Sequence, residues 1–281
     1  MEISSPSIPA GDVGQLAEWG EAEALYTLAS GANAAVAAEF GIDVAHVGGG
    51  IVVSTLHDAT GFWSRAIGLG ITEPVDADVI SDVLTFFRRH SNPRATIQIA
   101  PALLPPDWPE ISARFGLRAG AAWAKLARPT AGFQPQVTDL NVAPIADDEA
   151  PQAAAVMAEC FGMSAGLVAG LYVPALRSGA FQGFAAWDED RMVAVGGMRV
   201  HRAVASMYGA ATLPEYRRRG AQSALLAARA EEARSRGCEW LIAETGIPES
   251  EGGNPSLNNM LKAGFEILYP RTNWIWQNDE Q

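Results

Sequence analysis

The sequence predicts an α/β protein that contains one arrangement of alternating strands and helices twice. Of its 281 residues, 48% are hydrophobic and 19% charged, a composition typical of a soluble globular protein with a full core. Strand-like and helix-like stretches follow one another in the same order in both halves, which indicates a duplicated α/β unit. A segment rich in proline and glycine, residues 128–135, separates the halves and is typical of a linker.

The first half, residues 1–130, carries the fainter copy. Its predicted elements are a strand (65–72), a helix (76–89), a second strand (96–100) and a short helix (109–114). The loop that precedes the longer helix, residues 72–76, is acidic and would repel a phosphate. We therefore expect this half to be a degenerate copy without an anion site.

The second half, residues 136–281, shows the same order more clearly. Its predicted elements are a helix (148–161), three strands (183–187, 192–200 and 203–213), a helix that begins at Gly220, a strand (238–244), a helix (254–263) and two strand pieces within 265–276. The polar turn 188–191 indicates an antiparallel hairpin. Gly237 is placed to end the helix that begins at Gly220, and the helical period puts Arg229 away from its apolar face.

The most informative segment is the run from Pro214 to Ser223, which contains three consecutive arginines in a chain of net charge -12. It lies between a predicted strand and a predicted helix. The first turn of a helix presents backbone N–H groups without internal partners, and the helix dipole adds positive character there. Gly220 allows close approach of a ligand to the backbone. This pattern predicts a site for a pyrophosphate.

Composition excludes several other classes. The net charge of -12 and the pI near 4.8 argue against nucleic-acid binding and favour a cationic substrate. Two cysteines and four scattered histidines predict neither a disulfide framework nor a metal site. The amino terminus does not have the layout of a signal peptide, and no apolar run is long enough to span a bilayer, so we expect a cytoplasmic protein without a membrane partner.

With these elements in place, the second half resembles the GNAT superfamily of acyl-CoA-dependent N-acyltransferases. The family's signature, Arg or Gln, two residues, Gly, one residue, then Gly or Ala, aligns with Arg217 to Gln222, although Gln222 replaces the final small residue. Residues 254–265 resemble the family's terminal helix and its Gly-Phe ending. The whole chain thus resembles tandem-GNAT proteins: two domains, each a mixed, largely antiparallel twisted sheet flanked by helices.

The resemblance implies that acetyl-CoA is the co-substrate and that no metal takes part. Its pantetheine would pair with the backbone of the strand before the arginine turn, and its pyrophosphate would lie on the turn itself. The implied cofactor-binding residues are Ala211, Thr212, Leu213, Arg217, Arg218, Arg219, Gly220, Ala221, Gln222, Ser223 and, at the start of the last helix, Asn254 and Ser256.

Catalysis requires a base for the attacking ammonium and a proton for the departing thiolate. Glu244, at the end of the strand that would border the cofactor, is the first candidate for the base, and a base acting through water is an equal alternative. Glu215 and His201 rank lower. Family members often use a tyrosine as the acid where this chain has Met260, so Tyr208 and Tyr269 are the candidate substitutes, unless the thiolate is released without an acid.

The leading hypothesis is acetyl transfer to a primary amine by direct attack in a ternary complex, since no cysteine lies within the motifs. The alternative is a non-catalytic acyl-CoA-binding or interaction module. A dinucleotide-binding enzyme is a poorer interpretation, because no Gly-x-Gly-x-x-Gly run is present. The amine pocket is expected around residues 160–172, the amine is a small molecule or a peptide, and a homodimer is neither required nor excluded.

Overall fold

A computed structural model describes residues 10–133, 137–248 and 253–278. They divide into two compact units: the N-terminal unit comprises 10–125 and 268–278, and the C-terminal unit comprises the described residues of 126–267. The sequence analysis placed the division at residues 130–136 and the whole C-terminal end in the second domain. The contact division differs because the end of the chain groups with the N-terminal unit.

The first half of the chain folds into nine elements and one 3₁₀ turn at Pro101–Leu103. They are α1 (Ala10–Ser30), α2 (Ala34–Phe40), β1 (Ile42–Val47), β2 (Gly50–Thr55), β3 (Arg65–Ile67), α3 (Ala77–Arg89), β4 (Arg94–Gln98), α4 (Trp108–Arg114) and β5 (Arg118–Pro129).

The second half begins with β6 (Asn141–Pro144) and has a 3₁₀ turn at Pro214–Tyr216. The other elements are α5 (Ala150–Phe161), α6 (Ala165–Arg177), β7 (Gln182–Asp188), β8 (Arg191–His201), β9 (Val204–Thr212), α7 (Ala221–Ser235), β10 (Trp240–Gly246), α8 (Pro255–Lys262) and β11 (Glu266–Gln277).

After β6, the order α5 to β11 repeats the order α1 to β5 element for element, which confirms the predicted α/β duplication. The hairpin of β7 and β8 and the helices α7 and α8 lie where they were predicted. No element was predicted at α1, α2, β1, β2, β5 or β6. The division of residues 265–276 into two strand pieces was wrong, since β11 is one continuous strand.

Both units contain mixed, largely antiparallel sheets. In the N-terminal unit the order is β1-β2-β3-β4-β11-β5, and β3 and β4 are the parallel pair. In the C-terminal unit the order is β6-β7-β8-β9-β10, and β9 and β10 are the parallel pair. β4 is followed by β11 and not by β5, so the last strand of the chain completes the N-terminal sheet.

Helices cover both faces of the C-terminal sheet. A Cβ at Gly183 of β7 would lie 2.7 Å from a Leu176 side-chain carbon on α6. The next residue, Phe184, packs in an apolar cluster with Leu225 of α7. Because successive side chains of a strand point to opposite faces, α6 and α7 lie on opposite sides of β7.

A buried cluster of charges holds α1 against the sheet of the N-terminal unit. Glu18 and Glu21 of α1 are at most 4% exposed, and Arg271 of β11 is fully buried between them. The Arg271 guanidinium lies 2.6 Å from Glu18 Oε2 and 2.8 Å from Glu21 Oε2. Lys125 of β5 donates to Glu21, and Tyr269 donates to Glu18 over 2.8 Å.

Opposing effects set the pKa of Glu21. Burial would raise it, but the charges of Arg271, Lys125 and Arg65 outweigh burial and hold the pKa well below its ordinary value of 4.5. A carboxyl group with a depressed pKa in the folded state stabilises that state above its ordinary pKa, and this stabilisation is lost as the pH falls through the folded value.

We expect Glu21→Gln to lower the free energy of unfolding of the N-terminal unit by about 3–5 kcal/mol at pH 7, because it leaves buried cations without their counter-charge. Urea denaturation followed by circular dichroism measures this change. The difference from wild type should shrink as the pH falls below 4.5. Glu39→Gln, on exposed α2, is the control and should change stability by less than about 0.5 kcal/mol. Equal stability of the two variants would contradict the assignment.

Candidate functional site

The strands β9 and β10 pair only at their beginnings. The parallel register joins Val204, Ala205 and Ser206 to residues 240–242, and it does not extend beyond Ser206 among the described residues. β9 continues to Thr212 and β10 to Gly246. The two strands therefore open towards their carboxyl ends, as the family resemblance implied.

A bulge bends β9 at the start of this opening. Between Gly197 and Val195 of β8 the partner in β9 moves from Tyr208 to Ala211, so β9 contains one additional residue there. Gly209 has a φ of 57° and packs closely against α5, since a Cβ would lie 2.7 Å from Met157 Cε. The bulge and this packing direct the end of β9 away from β10.

The backbone of Thr212 faces the open edge of β9. The Leu213 N–H donates to Val193 O of β8 over 3.0 Å, and successive backbone groups of a strand point in opposite directions. The Thr212 carbonyl accordingly points away from β8 and accepts a hydrogen bond from Arg217 Nε over 3.3 Å. Of the three residues predicted to pair with pantetheine, Thr212 has the appropriate orientation, while Ala211 and Leu213 are paired with β8.

The arginine turn leads directly into α7. Arg218 has a φ of 65° and Gly220 a φ of 80°, two left-handed residues within three positions. Alternating backbone conformations of this kind form concave N–H arrangements that bind anions. The first helical hydrogen bond is from Ala224 N to Gly220 O, and Gly220 provides no side-chain cap. The N–H groups of the first turn of α7 therefore have no partner within the helix.

The segment after residue 136 contacts the backbone of the arginine turn. Thr138 Oγ1 donates to Arg219 O over 2.7 Å. A Cβ at position 220 would lie 2.8 Å from Val137 O, so a side chain there would displace backbone. Gly220 is therefore required both for its positive φ and for the space it leaves.

Arg219 is held by two aspartates. Its guanidinium donates to Asp139 Oδ2 over 2.5 Å and to Asp188 Oδ1 over 2.8 Å. These hydrogen bonds lower the pKa of both carboxyl groups and raise the pKa of Arg219. The Arg219 side chain thus fixes the turn to β7 and to the segment after residue 136, which leaves the residue's backbone for a ligand.

The other predicted residues of the turn are placed differently. Arg217 and Arg218 are exposed, and neither forms an ion pair with a described residue. Gln222, which replaces the small residue of the signature, donates to Thr212 Oγ1 over 3.0 Å and so joins α7 to the end of β9. Ala221 is buried, while Ser223 is half-buried in the first turn.

The corresponding helix of the N-terminal unit begins differently. Asp76 caps α3, and its carboxylate accepts hydrogen bonds from Asp78 N over 3.0 Å and Val79 N over 2.9 Å. A fixed carboxylate thus occupies the position at which α7 presents uncapped N–H groups. This contrast supports the expectation that the N-terminal copy has no phosphate site at the start of the corresponding helix.

Glu244 lies in the open part of β10, two residues beyond the last paired residue, and is half-buried. Asn254 fixes the end of this strand: its Nδ2 donates to Thr245 Oγ1 and Gly246 O, and its Oδ1 caps α8 by accepting from Ser256 N. The side chain of Asn254 is thus already engaged in positioning β10. Ser256 is exposed at the start of α8.

Of the tyrosine candidates, Tyr208 lies at the β9 bulge and packs against Phe181, with ring centroids 5.6 Å apart. Tyr269 is no longer a candidate for the acid because its hydroxyl is donated to Glu18, and burial, followed by the Glu18 charge, raises its pKa. Met260 is 9% exposed in α8. Glu215 pairs with Arg191 at 3.0 Å. His201, the last residue of β8, is paired with Val204 at the beginning of β9, and the arginine turn follows the other end of that strand.

Cys160, at the end of α5, lies in the region expected to form the amine pocket. Its thiol lies near the backbone of Thr212 in β9. Burial and the charge of Glu159 raise its pKa, and Arg217 and Thr212 offset this only in part. The thiol is thus kept protonated, although it lies beside the open strand.

The expected exposure of Arg229 was wrong. Arg229 is fully buried between α7 and β8, where Nη1 donates to Gly197 O over 3.2 Å and burial lowers its pKa to about 10. Gly196 makes this possible, since a Cβ there would lie 2.9 Å from Arg229 Cζ. Helical periodicity cannot detect a gap left by a glycine on another element.

Within 10–133, 137–248 and 253–278, no three His, Cys, Asp or Glu side chains are grouped so as to hold a metal ion. Among the helices of the described segments, none combines the length and apolar character needed to cross a membrane.

Part of the second half is similar to a known family. Residues 159–255 match the model of the acetyltransferase (GNAT) family, a range that includes the open strands, the arginine turn and α7. No curated protein sequence matches the chain.

Solved structures show the same fold over nearly the whole chain. A GCN5-related N-acetyltransferase from Kribbella flavida aligns with a TM-score of 0.61 at 14% identity and covers 93% of this chain and 95% of its own. A tandem GNAT protein from the clavulanic acid biosynthesis pathway aligns with a TM-score of 0.55 at 13% identity, covering 96% and 97%. The predicted tandem GNAT fold is confirmed.

We expect the double variant Asp139→Asn, Asp188→Asn to loosen the arginine turn, because it removes both charges that hold Arg219. Hydrogen exchange of the hydrogen-bonded Arg217 and Ala224 N–H groups should become severalfold faster than in wild type, since local opening costs less free energy. Asp190→Asn is the matched control, because Asp190 is exposed on the same β7–β8 turn and has no described ion pair. Unchanged protection in the double variant would contradict the bracing role of Arg219.

Proposed function

We propose that this chain transfers the acetyl group of acetyl-CoA to a primary amine by direct attack in a ternary complex, and the match of residues 159–255 to the GNAT acetyltransferase family supports the proposal. The observation that carries the proposal is the uncapped first turn of α7 beside the open edge of β9. A strand edge can pair with an extended amide-containing chain, and an uncapped helix start can bind a pyrophosphate. Acetyl-CoA contains both groups.

The residues present fit this co-substrate. Thr212 lies at the open edge of β9, where the pantetheine would replace Arg217 Nε as the partner of its carbonyl. The backbone N–H groups from Arg219 to Ser223 would bind the pyrophosphate. Arg217 and Arg218 supply exposed positive charge that no described carboxylate neutralises. Ser256 contributes at the start of α8, and Asn254 keeps the end of β10 in place. Ala221 and Gln222 support the turn through packing and through the bond to Thr212.

Glu244 is the proposed general base. It lies in the open part of β10, on the other side of the gap from the end of β9, and it can accept a proton from the incoming ammonium directly or through water. In the transfer, the amine nitrogen bonds to the acetyl carbon, the carbon–sulfur bond breaks, and the thiolate takes up a proton. Tyr208, at the β9 bulge, is the proposed donor of that proton.

Direct attack is favoured over a covalent acyl-enzyme by the state of Cys160. A cysteine nucleophile acts as a thiolate, and burial raises the pKa of this thiol. The end of α5 and the beginning of α6 instead supply walls for the amine pocket. The chain's net charge of -12 favours a cationic amine during diffusional approach.

A non-catalytic acyl-CoA-binding module is the second candidate. It is favoured by Met260, which occupies the position where the family's tyrosine acid is expected and is buried in α8. Binding of CoA without release of thiol from acetyl-CoA, over a broad panel of amines, would establish this alternative.

Calorimetry tests the cofactor site. We expect Gly220→Asp to weaken CoA binding by at least about 100-fold, because it adds a carboxylate and a side chain to the anion site. Gly237→Asp is the matched control: Gly237 has a φ of 78° against 80° for Gly220, lies at the other end of α7, and has open space around its Cβ position. CoA affinity equal in the two variants would refute the pyrophosphate assignment.

Steady-state kinetics test the catalytic assignments once an amine acceptor is in hand. Glu244→Gln should lower kcat about 10²–10⁴-fold and remove the decline of kcat/KM at acid pH, without a change in CoA affinity.

Tyr208→Phe should lower kcat with no loss of affinity, and Cys160→Ser should leave turnover within about twofold. Abolition of turnover in Cys160→Ser with intact CoA binding would overturn direct attack.

A further inference from the structure

A second charged site is present in the N-terminal unit, where the proposed function assigns nothing. It is a cleft of about 370 Å³ lined by the ends of α3 and α4, the beginning of β5 and the end of β11. Arg88, Arg114 and Arg118 all line it, and no acidic residue among the described ones does so. We call it the arginine cleft.

The three guanidinium groups are unneutralised in the described part of the chain. None of them forms an ion pair with a described residue, although the protein as a whole has 32 acidic residues against 20 basic ones. Arg219, Arg234 and Arg236 each have a carboxylate partner. Among the described residues, by contrast, no carboxylate pairs with any of the three arginines that line the cleft.

Aromatic rings orient two of these arginines. The Arg88 guanidinium lies over the Trp276 ring, with Cζ 5.4 Å from the centroid, and Arg114 lies over the Phe115 ring at 5.1 Å. Trp276 is 2% exposed and stacks on Phe87, so its position is fixed by the core. A guanidinium held over the face of a fixed ring is restricted in position, and its N–H groups remain available to an anion.

Favourable interactions with helix ends explain part of this arrangement but not all of it. Arg88 and Arg114 each lie in the last turn of a helix, where a cation offsets the helix dipole. Arg118 lies on β5, so an interaction with a helix dipole does not explain its position. Asn278, which also lines the cleft, has an Oδ1 atom that is buried without a hydrogen-bond partner in the described structure.

From these observations we propose that the arginine cleft binds a small organic polyanion, that is, a molecule with two or more phosphate or carboxylate groups. Its volume is within the range of small-molecule sites, and three guanidinium groups match several anionic groups at once. The site is separate from the arginine turn, since all of its lining residues belong to the N-terminal unit.

Gly116 provides a sharp test, because it lines the cleft with a φ of 66° and nothing within 4 Å of its Cβ position. Asp and Asn both tolerate a positive φ and have the same shape, so Gly116→Asp and Gly116→Asn differ only in charge. Isothermal calorimetry of the full chain with inorganic pyrophosphate and with citrate, as separate arms, distinguishes phosphate from carboxylate ligands. Gly220→Asp is included in every protein, so that pyrophosphate binding at the arginine turn does not contribute.

We expect saturable binding of at least one probe. Gly116→Asp should weaken that binding at least about tenfold, Gly116→Asn should leave it within about threefold, and Arg88→Gln should weaken it about tenfold. Arg89→Gln is the matched control for Arg88, since Arg89 is exposed in the same helical turn outside the cleft. No saturable binding of either probe, equal affinities in the Asp and Asn variants, or an equal loss in Arg89→Gln would each overturn the proposal.

Discussion

The placement of the candidate site depends on a helix whose first turn is left without a cap. α7 begins at Gly220, which has a positive φ. A Cβ at this position would lie 2.8 Å from Val137 O, so only a glycine is accommodated without displacement of the backbone. A side chain at this position would either displace the segment after residue 136 or change the direction in which the helix starts. Because the N–H groups of the first turn have no partner in the helix, their orientation defines where an anion can bind.

The surrounding contacts keep that first turn rigid and accessible. The Arg219 guanidinium donates hydrogen bonds to Asp139 and Asp188. Thr138 donates to the Arg219 carbonyl, and Gln222 joins the helix to Thr212. Of the three consecutive arginines, Arg219 therefore has a structural role, while Arg217 and Arg218 are exposed. Farther along α7, buried Arg229 donates to Gly197 O and so secures the helix to β8, next to the bulge in β9. Pre-organisation of this kind reduces the ordering cost of ligand binding.

The sequence predicted the α/β class, the duplication, most elements of the second half and the position of the turn, because these follow from local periodicity, glycine placement and charge. It did not predict the partners of Arg219, since Asp139 and Asp188 are 80 and 31 positions away and carry no local signal. The burial of Arg229 depends on Gly196 of another element in the same way. The place of β11 was also hidden, because a strand's pattern does not state which sheet it joins. Cys160 was expected at the amine pocket, but its closeness to Thr212 of β9 arises from folding and has no local signal in the sequence.

Duplication explains why the two units have different charge distributions. In the N-terminal copy, Asp76 satisfies the helix start that α7 leaves open, so the site equivalent to the arginine turn is closed by the chain's own carboxylate. The charges of that unit lie elsewhere: Glu18, Glu21 and Arg271 are buried as a structural network, and the unneutralised arginines are collected at the carboxyl ends of α3 and α4. A copy that has lost one anion site but retains a guanidinium-lined cleft at the other end of the same helix has not become a passive support. Its surface still has the chemistry to bind a ligand of its own.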